Sequence, residues 1–193
     1  TAGQTGPDGS TNALLHTGDG TGAGTGLYLS FNYSNYGTDY AVTVYAKANG
    51  SQYVYLGTNN ADTKVVAYNL SGSGTVISAP TGYSGTINAI GDGWYRCRFL
   101  LDTTTAAEDN FYVLGLCQSD GTVDGTYTSS DSVYFFGPQI STGQYFIPYI
   151  PTTSSHIVRY QPVLQTSLQE RFDHDPVTGE SKGLLIESSA TNL

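Results

Sequence analysis

GDGWYRCRFLL, residues 91–101, holds the sole tryptophan, two of the seven cationic residues and one of the two cysteines of the chain. Its side chains alternate as a pleated strand requires. Trp94, Arg96 and Arg98 point one way, and Tyr95, Cys97, Phe99 and Leu101 point the other. The second set predicts a core face. The first sets an aromatic plane beside two guanidinium groups, chemistry suited to stacking on and hydrogen-bonding a polar, ring-shaped ligand. A tryptophan opening a strand beside arginines is also, quite ordinarily, a packed residue covered by aliphatic arginine stems. Both readings stand at the level of sequence.

The rest of the chain extends the strand reading. Only 12% of its 193 residues are charged, while glycine numbers 24 and tyrosine 16, a composition that favours strands and turns over helices. The length suits one well-buried domain. A net charge of −9 argues against a nucleic-acid or anionic-membrane partner, since phosphate binding is driven by clustered Lys and Arg. No apolar run approaches the ~20 residues of a membrane span, and no signal-peptide pattern opens the chain. A soluble chain without membrane insertion is therefore expected. Because it contains no methionine, it is expected to be a piece of a longer protein. Cys97 and Cys117 read as lying on consecutive antiparallel strands, where they either bond across the ladder or, more ordinarily, remain two buried thiols.

In order along the chain, residues 1–26 are rich in Gly and Thr, with a turn at Pro7-Asp8-Gly9 and a short apolar strand at Ala13 to His16. The glycines lack a G-K-[ST] ending and read as loop, not phosphate cradle. Leu27 to Asn35 alternates with Leu27, Leu29, Phe31 and Tyr33 on one side. Tyr40 to Ala48 places Val42, Val44 and Ala46 inward and Thr43, Tyr45 and Lys47 outward. Asn49-Gly50 predicts a tight turn of the kind that favours positive φ, returning Gln52 to Gly57 with Val54 and Leu56 inward and Tyr53 and Tyr55 outward. If these outward faces belong to one sheet, Tyr45, Lys47, Tyr53, Tyr55, Trp94, Arg96 and Arg98 share a surface of aromatic planes and cationic donors. They form the candidate binding set, subject to register, because a one-residue slip moves every side chain to the other face.

Further short strands are predicted at Lys64 to Asn69, Gly74 to Ser78, Gly85 to Ile90, Asn110 to Ser119 and Ser132 to Ile140, with a polar loop at Asp120 to Asp131. Roughly eight to ten short strands separated by Gly-rich turns predict an all-β fold, an antiparallel β-sandwich of jelly-roll-like form, over residues 1–142. Residues 143–193 change character. Pro148, Pro151 and Pro162 exclude a run of central strand, so an extended strap is expected, then a turn at Asp175 to Gly179 and a short apolar strand at Leu184 to Ile186. That last strand either packs back on the sandwich, pairs with a neighbour, or leads to a further module.

A catalytic reading finds little support. Glycoside hydrolysis needs two facing carboxylates, whereas Asp8, Asp19, Asp62, Asp92, Asp102, Asp120, Asp124 and Asp131 lie mostly in Gly- or Ser-rich turns, where Asp is favoured for local hydrogen bonding. His16, His156 and His174 share no metal-ligand spacing, and no C-x-x-C pair is present. No G-x-S-x-G elbow marks a nucleophile. DHDPVTGE, residues 173–180, is dense in oxygen ligands but does not match the twelve-residue calcium loop, so a turn is the expectation there. No enzyme activity is expected.

From Ser132 to Tyr160 the pattern becomes specific. VYFFGPQISTG followed by FIPYIPTTSSHIVRY resembles the end of a domain widespread in bacteriophage tail and other virion proteins, in which a strand like VYIWGAQLE precedes PTSYIPT and VTRAAD. Phe136 stands where that pattern often has Trp, Ser141 where it often has an acid, and Gln161-Pro162 where it often has Ala-Asp. PDGSTNA at 7–13, YAVTVYAKANG at 40–50, GDGWYRCRF at 91–99 and DPVTGESKGLLIESSATNL at 175–193 agree in order, so the likeness spans most of the chain. The resemblance implies a jelly-roll, lectin-like carbohydrate-binding module with a non-catalytic role. Its place would be a virion, on the tail or particle surface, extracellular when acting. Its partners would be a host or environmental polysaccharide, neighbouring virion subunits or a second copy. Domains of that kind often carry a structural calcium, although no ligand set maps onto these positions. The alternatives implied are a purely structural virion domain without a glycan site and, more remotely, a polysaccharide-degrading enzyme.

Overall fold

The computed structural model describes residues 2–20, 26–30, 40–58, 64–101, 111–142, 149–151, 172–174 and 181–184. No helix among them is long and apolar enough to cross a membrane. The 91–101 stretch is a strand as read. β9 (Trp94–Leu101) pairs with β4 (Tyr40–Ala48) over eight positions, from Tyr40 opposite Leu101 to Lys47 opposite Trp94. Val42, Val44 and Ala46 thereby meet Phe99, Cys97 and Tyr95, all buried. β8 (Tyr83–Gly91) reaches β9 through Asp92 and Gly93, whose φ angles of 51° and 76° are both positive, as a two-residue type I′ turn demands.

Around this ladder the remaining strands are β1 (Ala2–Gln4), β2 (Ala13–Thr17), β3 (Gly26–Ser30), β5 (Tyr53–Gly57), β6 (Val65–Asn69), β7 (Thr75–Ser78), β10 (Phe111–Leu116) and β11 (Ser132–Thr142). They form a six-stranded sheet, β1-β2-β11-β4-β9-β8, and a five-stranded sheet, β3-β10-β5-β6-β7. Four antiparallel pairs are nested within one another along the chain: β2 with β11, β3 with β10, β4 with β9 and β5 with β6. A ribbon folded in that nested order across two sheets is the jelly roll. The main core lies between the sheets, built from alternate residues of β4, β5, β6, β9, β10 and β11.

Three expectations are corrected by this topology. β4 and β5 do not form a hairpin, because β4 belongs to the first sheet and β5 to the second. Residues 49–52 instead turn a corner between sheets, with the Gly50 and Ser51 N–H groups both donating to the Ser132 carbonyl at 2.9 Å. Neither Asn49 nor Gly50 has positive φ. Glycine is required at 50 for a different reason, since a Cβ there would collide with the Ser130 carbonyl oxygen. Likewise β9 and β10 lie in different sheets. Cys97 sits in the main core and Cys117 in a second cluster with Tyr55 and Val65, and both are buried thiols rather than a disulfide. The loop expected to be polar at 120–131 is partly core, with Val123 fully buried and Tyr127 nearly so.

The chain divides into two compact units, Thr1–Pro151 and Thr152–Leu193. In the second, β12 (Phe172–His174) pairs antiparallel with β13 (Ser181–Leu184), Phe172 facing Leu184. The strap expected at 143–148 and 152–171, the turn at 175–179 and the strand beyond 184 lie outside the described residues, as do Phe31 and Tyr33.

Candidate functional site

Register now decides which outward residues share a surface, because directly opposite residues in an antiparallel ladder face the same side. Three rows cross the outer face of the six-stranded sheet. The first is Tyr134, Lys47, Trp94; the second Phe136, Tyr45, Arg96, Asn88; the third Gln139, Thr43, Arg98, Thr86. Each row starts on β11 and runs towards β8, so aromatic rings gather at one end and cationic, amide and hydroxyl groups at the other.

The aromatic end is packed. Trp94 is 4% exposed and clusters with Phe136 and Ala13. The Trp94 and Phe136 rings meet edge-on at 6.5 Å, and Tyr45 lies 6.0 Å from Phe136. Tyr149 stands edge-on to Phe136 at 4.9 Å. From above, Gly6 rests on the Phe136 ring so closely that a Cβ would approach to 2.6 Å. Burial, and then the negative charge of Asp8, push the Tyr149 phenol up. Of the two readings of Trp94, the packed one describes its surroundings: the indole is a structural anchor and offers no open stacking face.

Tyr149 reaches this cluster because β11 carries a bulge. Between the pairs Phe136–Tyr45 and Gln139–Thr43, β11 spends two residues, Gly137 and Pro138, against one on β4. Gly137 adopts φ 57°, and a Cβ there would lie 2.8 Å from the Tyr149 ring. The Ile150 N–H donates to Gln139 Oε1 at 2.9 Å, tying residues 149–151 to the bulge.

Tyr53 and Tyr55 do not join the set. They are on the outer side of the five-stranded sheet, across the core from Trp94, because Val54 and Leu56 take the inner side. Tyr55 is fully buried in a second apolar layer with Val65, Ala67, Val113, Cys117 and Val123. The 118–127 loop folds over it, Gly121 fitting against Ala67 and Ile77. Tyr53 is half-buried at its margin and accepts a hydrogen bond from Gln52 Nε2 at 3.1 Å.

Four of the seven candidates therefore remain together on one face, each half-buried: Tyr45, Lys47, Arg96 and Arg98. Arg96 Nη2 donates to Asn88 Oδ1 at 3.3 Å, which aims the guanidinium along the sheet surface. Arg98 Nε and Nη2 are buried and have no hydrogen-bond partner among the described residues. Asn88, Thr86, Tyr134, Gln139 and Tyr149 were not singled out from the sequence, although the alternation of Thr86 and Asn88 in the 85–90 stretch carried the signal for two of them.

Three of the described acids serve turns. Asp8 accepts from the Ser10 N–H at 2.9 Å, Asp120 from the Thr122 N–H at 2.9 Å, and Asp131 from the Thr128 N–H at 2.8 Å. Hydrogen bonding from Ser10, side chain and then backbone, and from Thr122, backbone and then side chain, holds the Asp8 and Asp120 carboxyls below their ordinary values. Among the described residues no group of three or more His, Cys, Asp or Glu is placed to hold a metal ion. A mostly apolar cleft of about 250 Å³ opens beside Asn12, Leu14, Leu27, Leu114 and Phe135 and reaches Phe136 and the Gly137-Pro138 bulge. Fold and site together define an antiparallel jelly-roll β-sandwich with a mixed aromatic and cationic sheet face. No protein-family model matches the chain, and no curated protein does.

Proposed function

We propose that the chain is a non-catalytic glycan-binding module of a phage tail or particle surface, recognising a host or environmental polysaccharide through the outer face of the six-stranded sheet. The observation that carries this reading is the pair of adjacent rows Tyr45–Arg96–Asn88 and Thr43–Arg98–Thr86, with Lys47 beside them. Three of the chain's seven cations lie on neighbouring strands of one face in a protein of net charge −9. A sugar presents hydroxyl acceptors and an apolar C–H face. The rows offer guanidinium, amide and hydroxyl groups for the first and the Tyr45 ring for the second. A purely structural role in particle assembly draws on a different observation, the exposed and uncharged edge strand β8.

Affinity-gel electrophoresis and a glycan array, run with calcium and with chelator, test the binding reading. Arg96→Ala and Tyr45→Ala should each weaken binding about 10- to 100-fold, while Tyr53→Phe, on the opposite side of the molecule, should leave it unchanged. Trp94→Ala should act on folding, lowering stability by about 3–5 kcal/mol in chemical denaturation. The proposal is lost if no polysaccharide binds, or if binding is indifferent to both Arg96→Ala and Tyr45→Ala.

A further inference from the structure

The strand order brings two sheet edges to one flank of the sandwich. β8 ends the six-stranded sheet and β7 ends the five-stranded one. They adjoin: a Cβ at Gly74, the residue preceding β7, would lie 2.9 Å from Ile87 Cγ1 of β8. Among the described residues nothing pairs with the outer edge of β8 from Ser84 to Gly91, and Ser84, Thr86, Asn88, Ala89, Ile90 and Gly91 are exposed. Val76 of β7, 36% exposed, and Ile90 of β8, 42% exposed, are the exposed large apolar residues among those described, and both stand on this flank.

Edge strands left open to solvent are ordinarily blunted with lysine, proline or an inward charge. TVIS, residues 75–78, and YSGTINAIG, residues 83–91, contain neither a charge nor a proline. The unmade backbone hydrogen bonds of β8 and the apolar side chains around it are what a pairing strand supplies and buries. We propose that this flank joins two copies of the chain, β8 against β8, antiparallel about a two-fold axis, so that two six-stranded sheets become continuous.

A second copy suits the edge for two reasons. Each copy carries −9, so approach through most of the surface is opposed by like charge, and an uncharged flank is where that opposition is smallest. Identical strands pairing antiparallel are also self-complementary, each presenting the same patch to the other. With the axis normal to the sheet, outward residues meet outward residues. Ser84, Thr86 and Asn88 then face their counterparts, all short, neutral and able to hydrogen-bond. Ile90 occupies the bulge between Ala89 and Gly91, so the ladder closes at Ala89 and the Ile90 side chain covers the end of the seam. This interface stands independently of the glycan reading.

Sedimentation equilibrium of the whole chain, from micromolar to millimolar, tests it alongside Thr86→Lys/Ile90→Lys and a control, Thr11→Lys/Ser129→Lys, that adds the same charge at exposed sites elsewhere. Both variants lower the net negative charge equally, so overall repulsion cannot distinguish them. The expected result is a concentration-dependent dimer, strengthened by salt as repulsion is screened. The flank variant should weaken it at least about tenfold, through like charges set opposite one another, with the parent's melting temperature at concentrations where both are monomeric, while the control dimerises as well as the parent. A chain that stays monomeric throughout the range overturns the proposal, and so does a dimer that the flank variant leaves intact.

Discussion

Trp94 and Arg96 stand two residues apart on one face of β9 and meet opposite surroundings. Trp94 shares its row with Lys47 and Tyr134 and is roofed by the Phe136 cluster, whereas the row of Arg96 ends at Asn88 on an edge strand. Alternation along β9 told which side each would take, but the covering of Trp94 depends on β11 and Gly6, distant in sequence. Inward residues behave more predictably, because burial alone sets their chemistry. Burial pushes up the Cys97 thiol and the Tyr68 phenol, whose hydroxyl donates to the Arg98 carbonyl at 2.6 Å. In the unfolded chain these groups ionise near about pH 8.5 and 10. Their stabilising contribution is complete below those values; above them the unfolded state binds fewer protons than the folded one, so stability falls as pH rises. Denaturant midpoints should accordingly decline from about pH 8.5 upward, each group costing about 1.4 kcal/mol per pH unit once ionised in the unfolded chain. Cys97→Ala should make the decline between about pH 8.5 and 10 shallower, and a flat profile to pH 10 would contradict the burial of the thiol.

At the scale of elements, strands were legible from alternation and turns only where local geometry governs them. The Asp92-Gly93 hairpin obeys the positive-φ rule, but the more familiar Asn49-Gly50 pair serves a corner between sheets, selected by its contact with the Ser130 and Ser132 backbone. The β11 bulge was equally invisible. Gly137-Pro138 in the midst of a strand reads as a flaw until Tyr149 is seen lying against it. Gly137→Ala should therefore cost stability twice, about 1–2 kcal/mol for a non-glycine residue at φ 57° and more for the contact with the ring. A double-mutant cycle with Tyr149→Ala separates the two. The loss in the Tyr149→Ala background should shrink to the backbone part alone, and equal losses in both backgrounds would show that Tyr149 does not bear on the bulge.

For the whole molecule, edge pairing and glycan binding meet in one consequence that rests on both proposals. Joining two copies through β8 places two outer faces side by side in one sheet surface, so a polymer able to span them gains avidity. The ratio of long-polysaccharide to short-oligosaccharide affinity should be up to about 100-fold larger for the paired chain than for Thr86→Lys/Ile90→Lys in titration calorimetry; Thr86 also ends the Arg98 row, and a direct effect of the substitution on the site falls on both ligands alike. Equal ratios would separate the edge from the binding face. From sequence alone came what is local and periodic: the all-β class, the inward sets of β4, β5 and β9, and the turn-capping aspartates, since pleat alternation and side-chain-to-backbone hydrogen bonds act over a few residues. Tertiary structure decided which strands are neighbours, and with it that Tyr55 is buried beneath the 118–127 loop, that Cys97 and Cys117 lie in separate layers, and that Trp94 is covered while Arg96 is not. The nested pairs of the jelly roll join strands from opposite ends of the chain, and the side-chain period of two leaves a strand's partner, unlike its faces, unspecified until the sheets assemble.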